Sequence, residues 1–209
     1  LLMIMAGITQ LPQLKNLTGD SSISVSVGIN FAAAVILGIP GVIFTSATIA
    51  IAHRVFRWNA KKGLWPVAYK TGYNWAIHVL AALTPAVAAT LLPSRLEIGG
   101  LIISLGIMTL AALCYFGVET GLLVAAISVE KSASPLSLWK EECAWLAPQY
   151  IVLCLIGFFL GVAYDFQGNV GILVFTIPVL MMTYSQKEYI NRTEKGVQEL
   201  RRMNQELAG

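Results

Sequence analysis

Long apolar runs constrain this chain more than any other feature of its sequence. About 20 apolar residues are enough for a helix to cross the hydrocarbon core of a bilayer, and inside lipid every backbone donor and acceptor must be paired within the protein. The runs lack the strict alternation of barrel strands, so the sequence predicts an all-α, polytopic transmembrane helix bundle of about six spans. The apolar runs are Ile23 to Ala52, Asn74 to Leu92, Leu101 to Val129, Trp145 to Ala163 and Val170 to Tyr184.

The composition agrees with a membrane protein rather than a soluble domain. Hydrophobic residues make up 56% of the 209 residues and charged residues 12%, whereas an average soluble domain has about 45–50% and about 25%. The run from Ile23 to Ala52 holds the sequence GIPG at 38–41, so it forms either two helices joined by a tight turn or one helix with a proline kink. The apolar segment from Leu1 to Leu14 is expected to be the end of a helix that begins earlier.

Basic residues predict how the bundle is oriented. Alternating spans put the loop His53 to Tyr73, the loop Glu130 to Glu142 and the C-terminus on one side, and Arg95 is the main basic residue opposite. Cytoplasmic loops are enriched in Lys and Arg, so the basic side is expected to be cytoplasmic, against the anionic lipids of the inner leaflet. All five tryptophans lie in or beside the same two loops, where indole rings anchor a protein in the headgroup layer. These basic residues indicate lipid, not nucleic acid, as the partner.

The C-terminal stretch has the spacing of a coiled coil. Six positions after Tyr184 are separated by 3, 4, 3, 4 and 3 residues, which is the a/d pattern with one asparagine at an a position. A single helix of this kind cannot bury its seam alone, so we expect a homodimer. The chain is predicted to divide into a transmembrane sensor bundle, 1–184, and a cytoplasmic coiled-coil helix, 185–209, that leads to an output domain. The predicted dimerisation residues are Ile190, Val197, Leu200, Asn204 and Leu207, with Thr193 in the same seam.

Polar residues inside the apolar runs are the candidates for a ligand-binding site. Glu119 lies deep in the third run, with Tyr115 one turn earlier. A carboxyl group at that depth costs about 2.5–3.5 kcal/mol, so it should face protein or water, either as a ligand, ion or proton site or as a neutral acid bonded to another helix. Asn74 and His78 share a helix face and form either a headgroup-binding or pH-sensing pair, or an interfacial cap and a hydrogen-bonded histidine. Asn30 is expected to pair with another helix.

Glycine pairs and cysteines indicate packing rather than chemistry. Gly117 and Gly121, and again Gly157 and Gly161, have the GxxxG spacing that lets helices approach closely. The three cysteines have no CxxC spacing and are interpreted as small packing residues. The sequence contains no nucleophile elbow, P-loop or dinucleotide fingerprint, and its two histidines lack neighbouring ligands for a metal or haem. We therefore expect no catalytic residue, no metal and no cofactor in this chain.

The tail from Phe175 to Leu207 resembles the end of bacterial membrane-associated sensor domains of the MASE type. In these domains a final span with a proline, here Pro178, leads into a signalling helix that ends in an ELxxxNxEL pattern, here 199–207. The region from Ser24 to Leu92 is similar too, with a serine-led apolar helix, a GxP motif, a basic loop and a span that begins with Asn74. The resemblance implies the bacterial cytoplasmic (inner) membrane, a multi-pass topology and a missing output domain. That domain would be a diguanylate cyclase or phosphodiesterase of the GGDEF or HD-GYP type, or a histidine kinase.

Three hypotheses of function remain open from the sequence. In the first, the chain is a sensory and dimerising module that passes a membrane signal, or the binding of a small apolar ligand, to the coiled coil. In the second, it is a transporter or a substrate-binding membrane subunit, because broken helices commonly line substrate sites and the chain has a weaker likeness to the small substrate-binding subunits of bacterial vitamin uptake systems. In the third, it is an accessory subunit of a larger membrane complex. The heptad pattern favours the sensor.

Overall fold

The computed structural model describes residues 1–9, 14–15, 22–23, 26–56, 64–92 and 98–174, together with isolated helical positions between 177 and 203. Within these residues the chain is all-helical, as the sequence predicts, apart from one two-residue antiparallel pairing. A π-helix, Trp139–Cys143, and a 3-10 turn, Ala144–Leu146, join the fifth helix to the sixth. The elements are α1 (Leu2–Ile8), β1 (Leu14–Lys15), β2 (Ser22–Ile23), α2 (Ser26–Phe56), α3 (Leu64–Ala89), α4 (Ile98–Lys131), α5 (Pro135–Leu138) and α6 (Ala147–Gln167).

Three segments of the described residues are long and apolar enough to cross a bilayer, which marks the chain as a membrane protein. They are Ser26–Val55, Gly100–Lys131 and Pro135–Gln167. The predicted span from Asn74 to Leu92 is not among them, because its helix ends at Ala89 and the polar residues Asn74 and His78 lower the mean hydropathy of its apolar part. The predicted dimerisation residues, Ile190 to Leu207, lie outside the described residues. The count of six spans and the coiled coil therefore remain predictions.

Helix α2 reverses direction at Gly38, so the first of the two sequence interpretations, a helix pair with a tight turn, is correct. Gly38 has φ +62° and ψ −148°, a backbone region that is essentially restricted to glycine. The reversal brings Thr45 Oγ1 to 2.7 Å from Asn30 Oδ1, whereas a straight helix would separate their Cα atoms by about 22 Å. The two arms, 26–37 and 39–56, are about 18 and 27 Å long, and each is shorter than a hydrocarbon core of about 30 Å. The segment Ser26–Val55 has the residue count and apolarity of a span, but because of the turn it does not cross as one straight helix.

The GIPG sequence explains how this turn is made. Pro40 lies in the first turn of the second arm, where its missing N–H leaves no helical hydrogen bond unmade. A Cβ on Gly41 would lie 2.5 Å from Leu37 Cβ and 2.6 Å from the Ala33 carbonyl oxygen, so a larger residue would push the two arms apart. The positive φ of Gly38, the proline and the close approach at Gly41 together build the reversal.

Helices α3 and α4 run antiparallel in a register that four side-chain contacts define. The start of α3 therefore lies at the same end of the bundle as the end of α4, which agrees with the predicted placement of the two basic loops on one side. The contacts, in order along the interface, are Lys70–Glu130 (3.8 Å), Tyr73 to the Leu122 carbonyl (2.8 Å), His78–Glu119 (3.0 Å) and Thr84 to the Ala111 carbonyl (3.3 Å).

Glycines let the first arm of α2 pack directly on α6. A Cβ on Gly28 would lie 2.7 Å from the Leu153 carbonyl oxygen, and a Cβ on Gly157 would collide with the Gly28 carbonyl. A Cβ on Gly161 would lie 2.7 Å from a side-chain carbon of Val35. The packing role predicted for Gly157 and Gly161 is therefore confirmed.

The second GxxxG pair, Gly117 and Gly121, behaves differently. A Cβ at either position would meet nothing within 4 Å, and both residues are exposed on the outer face of α4. Among the described residues, this pair therefore does not join two helices as the sequence predicts.

Two segments predicted as loops are largely helical. The sequence predicts a loop from His53 to Tyr73, but α2 continues to Phe56 and α3 begins at Leu64. It also predicts a loop from Glu130 to Glu142, where the break between helices is confined to 132–134. These boundaries were wrong because apolarity marks the part of a helix that faces lipid, whereas backbone hydrogen bonding continues a helix beyond the lipid.

Candidate intramembrane polar site

A histidine and a carboxylate meet between α3 and α4 in the apolar part of the bundle. His78 Nδ1 lies 3.0 Å from Glu119 Oε1, and the side chains are 22% and 8% exposed, respectively. Along the helix axes the pair is about 12–16 Å from the exposed Lys70–Glu130 contact. Glu119 therefore faces protein rather than lipid, as the sequence predicts.

The His78–Glu119 pair is not fully satisfied by hydrogen bonds. His78 Nδ1 and Glu119 Oε1 are close, but they are not aligned for a hydrogen bond, so their contact is an electrostatic one. Glu119 Oε2 is buried and has no hydrogen-bond partner among the described residues. A buried polar group left unpaired costs about 1–3 kcal/mol, and more when it is charged. Because such orphaned groups call for an explanation, Glu119 is the centre of the candidate site.

Asn30, in the first arm of α2, connects three helices. Its Nδ2 donates to the His78 carbonyl oxygen and to the Tyr115 hydroxyl, each at 3.3 Å. Its Oδ1 accepts from Thr45 at 2.7 Å and from Ser46 at 3.2 Å, both on the second arm. Because a backbone carbonyl only accepts, the His78 oxygen determines which end of the amide faces α3. The amide has a partner within reach for each of its four hydrogen bonds, which explains how a fully buried Asn30 is tolerated here.

Tyr115, on α4, accepts a hydrogen bond from this amide. Its side chain is fully buried, and its ring packs against Phe31 with ring centroids 6.2 Å apart. Glu119 lies one turn further along the same face of α4. A phenol both donates and accepts, so Tyr115 can accept from Asn30 while keeping its own proton to donate.

The structure brings together four of the five candidate residues predicted from the sequence. Asn30, His78, Tyr115 and Glu119 form one connected group, which we call the input cluster. Asn74 lies one turn before His78 and is half-buried, but its side chain makes no hydrogen bond to another residue in the described part of the chain. The hypothesis that Asn74 and His78 act as a pair therefore has no contact to support it.

Sequence reasoning missed Thr45 and Ser46 as partners of the cluster. Hydroxyl side chains in helices can bond to the carbonyl one turn earlier, and Thr45 Oγ1 is also 2.7 Å from the Gly41 carbonyl oxygen. Its single proton serves Gly41 or Asn30, but not both at once. The hydroxyls of Thr45 and Ser46 could be recognised as partners of Asn30 only once the two arms of α2 were known to fold together.

An aromatic group lies beside the input cluster, between α4 and the start of α6. Phe116 packs edge-on against Tyr150, with ring centroids 5.1 Å apart, and against Trp139 at 6.0 Å. Trp139 Nε1 donates a 3.0 Å hydrogen bond to Thr120. The sequence predicts Trp139 as a headgroup anchor, but its ring packs against the buried core of the bundle. It also begins the π-helix, an element that is rare and frequent at functional sites.

Comparison with family models, with curated proteins and with solved structures found no match to this chain. The resemblance to MASE-type sensor domains, and the weaker likeness to vitamin uptake subunits, therefore remain predictions from the sequence. Within the described ranges, no group of three His, Cys, Asp or Glu side chains is arranged to hold a metal ion.

Proposed function

We propose that this chain is the sensory and dimerising membrane module of a bacterial signalling protein, with the input cluster as the site that receives the signal. The observation that carries the proposal is the His78–Glu119 contact, an ionisable pair between two helices with one buried carboxylate oxygen unpaired. Ionisable residues inside a membrane are costly, and they commonly mark ligand, ion or proton sites. A change in the charge or occupancy of this pair would change how α3 packs on α4.

Asn30 would carry such a change to the rest of the bundle. Its amide bonds both arms of α2 as well as α3 and α4, so a shift of one helix alters the bonding of the others. Close-packed interiors respond to such a change by moving between discrete arrangements rather than by deforming continuously. The cluster is therefore suited to a two-state response.

The output of the proposed module is the heptad segment after Tyr184. A rearranged bundle would change the register or separation of two such helices, one from each protomer, and so control a cyclic-di-GMP enzyme or a histidine kinase domain. The heptad spacing and the MASE resemblance support this part of the proposal. In this proposal the protein lies in the bacterial inner membrane with its C-terminus in the cytoplasm, on the side of the basic loops.

Disulfide crosslinking in native membranes tests the proposal. In a variant whose three cysteines are replaced by alanine, Val197→Cys and Leu200→Cys should each give a covalent dimer because both belong to the predicted seam. Gln198→Cys, an outward position of the same heptad, is the matched control and should give much less product. Glu119→Gln should change the yield at position 197. A chain that gives no dimer at either seam position contradicts the proposal.

A second function, transport or substrate binding for uptake, is favoured by the reversal of α2 within its apolar run. Transporters commonly build their substrate sites from helices that are interrupted inside the membrane, and Gly38 interrupts α2 about 12 Å along the helix from Asn30. Ligand-dependent uptake into vesicles that is lost in Glu119→Gln would favour a transporter over a sensor. Uptake that is unaffected by this substitution would count against it.

A further inference from the structure

We infer that the His78–Glu119 pair is a proton-binding site, and that His78 is the group through which Glu119 exchanges its proton with the surroundings of the bundle. The inference rests on the proposed function, because it names protons as the signal that the input cluster receives. A proton requires no cavity, which suits a carboxylate packed among fully buried side chains such as Tyr115 and Asn30.

The two members of the pair differ in exposure, and this difference gives the exchange a direction. The Glu119 side chain is 8% exposed and the His78 side chain 22%. His78 Nδ1, the nitrogen that faces Glu119, is itself buried, so the exposed surface belongs to the rest of the side chain. A proton that reaches the pair therefore binds the outer part of the imidazole first and is passed on at its buried nitrogen.

The exchange is an acid–base step in which all bonds balance. A proton binds Nε2 of a neutral imidazole that carries hydrogen on Nδ1. The Nδ1–H bond then breaks as an O–H bond forms on Glu119, which leaves a carboxylic acid and a neutral imidazole with hydrogen on Nε2. The separation of 3.0 Å between Nδ1 and Oε1 is within reach of direct transfer, and a small rotation of the ring aligns the two atoms. Release is the reverse of these steps.

The unpaired oxygen of Glu119 fits a carboxylate that changes its protonation state. An ionised carboxylate needs donors on both oxygens, but among the described residues Oε2 has none. A carboxylate that stayed ionised would be expected to have a donor at each oxygen, since an unpaired buried charge is costly. The site is therefore left able to take up a proton.

Titratable and charged groups surround Glu119 on several elements, and His78 on α3 is the one in direct contact with it. Tyr115 on α4 and Tyr150 and Cys154 on α6 are buried and interact electrostatically with it. Helix α2 contributes uncharged side chains, Asn30, Thr45 and Ser46, which reach the pair through Tyr115 and the His78 carbonyl. The charged side chains further along the same helices are Lys70 and Glu130, about 12–16 Å away, and His53 and Arg54, about 12–14 Å beyond Thr45 along the axis of α2. The π-helix, whose Trp139 bonds Thr120 beside Glu119, adds Lys140, Glu141 and Glu142.

Infrared difference spectroscopy of the full chain in vesicles of neutral lipid tests the inference. Spectra are compared over the pH range in which histidine ordinarily titrates, about 5 to 8. A protonated-carboxyl band should grow as the pH falls, be lost in Glu119→Gln and move along the pH axis in His78→Gln. Glu130→Gln is the matched control, because Glu130 is an exposed carboxylate on the same helix, and it should leave the band unchanged. A Glu119 that keeps one protonation state over the whole range overturns the inference.

A second measurement, nitrogen-15 NMR of His78, tests the inference without a substitution in the site. The chain has two histidines, so His53→Gln leaves His78 as the source of every imidazole signal in a nitrogen-15 NMR spectrum. The two ring nitrogens of His78 should change with pH over the same interval as the Glu119 band. Imidazole signals that titrate identically in Glu119→Gln would overturn the coupling between the two groups.

The outcomes separate this inference from the proposed function. Crosslinking yield at Val197→Cys is measured at both ends of the pH range. If Glu119 titrates while the yield stays constant, the proton site stands and the relay to the coiled coil is contradicted. If Glu119 does not titrate but Asn30→Ala changes the yield, the proton site is overturned and the sensory module stands.

Discussion

Asn30 Oδ1 accepts a 2.7 Å hydrogen bond from Thr45 Oγ1, although the two residues are 15 positions apart in one apolar run. The bond requires α2 to double back at Gly38 inside the bundle. In an apolar environment such a reversal is tolerated only where protein satisfies the exposed polar groups. Asn30, which bonds both arms of α2 as well as α3 and α4, holds the two arms together and also holds the candidate site in place.

Gly38→Ala should destabilise the protein. The backbone at this position, with φ +62°, costs a residue with a Cβ about 1–3 kcal/mol. Denaturant titration in mixed micelles, followed by circular dichroism, measures the loss. Gly72→Ala in α3 is the matched control because its Cβ meets nothing within 4 Å, and it should be neutral or stabilising by up to about 1 kcal/mol. Equal stability for the two variants would mean that the chain does not turn at Gly38.

Gly157→Ala should separate α6 from the first arm of α2. Its new methyl group would collide with the Gly28 carbonyl, and overpacking of this kind costs about 1–3 kcal/mol. Gly117→Ala tests the other GxxxG pair with the same chemical change. Because nothing lies within 4 Å of a Cβ at Gly117, its effect should be neutral or stabilising by up to about 1 kcal/mol. Thermal unfolding of both variants in one detergent gives the comparison, and a reversed order would contradict the packing.

Asn30→Ala should destabilise the bundle and loosen the hairpin. The substitution removes four hydrogen bonds and leaves the Tyr115 hydroxyl and the Ser46 hydroxyl without this partner. Unpaired buried groups cost about 1–3 kcal/mol each, so we expect a loss of at least about 2 kcal/mol in micelle unfolding. Thr48→Ala, which removes an exposed hydroxyl bonded one turn back, is the control and should have little effect. A mild Asn30→Ala phenotype would show that the cluster is not the centre of the bundle.

The helices were predictable from the sequence because an apolar run of about 20 residues has few alternatives to a helix in lipid. The residues at which the helices begin and end were not predictable. Leu64–Ala89 begins nine residues before the predicted end of the loop at Tyr73, since basic and aromatic residues continue the helix outside the apolar region. The reversal at Gly38 stayed undecided between two interpretations because GIPG permits a kink as well as a turn. The contact with Thr45 decides it.

The members of the input cluster were predictable one by one, because a polar residue inside an apolar run is costly and needs a partner. Their partners were not predictable. Asn30 and Tyr115 are 85 positions apart and Asn30 and His78 are 48, so only the fold shows that they meet. Trp139 gives the opposite case, since its position near a basic loop indicated an anchor and its actual contacts are with Phe116 and Thr120.

The most direct test of the account is a double-mutant cycle on His78 and Glu119, because the account depends on these two residues acting as one buried unit. The stabilities of His78→Gln, Glu119→Gln and the double variant are measured by unfolding in one micelle system. We predict a coupling free energy of about 1–3 kcal/mol, whereas the same cycle on the exposed pair Lys70–Glu130 should give at most about 1 kcal/mol. Single substitutions at His78 and Glu119 that add independently, within about 0.5 kcal/mol, would contradict the account.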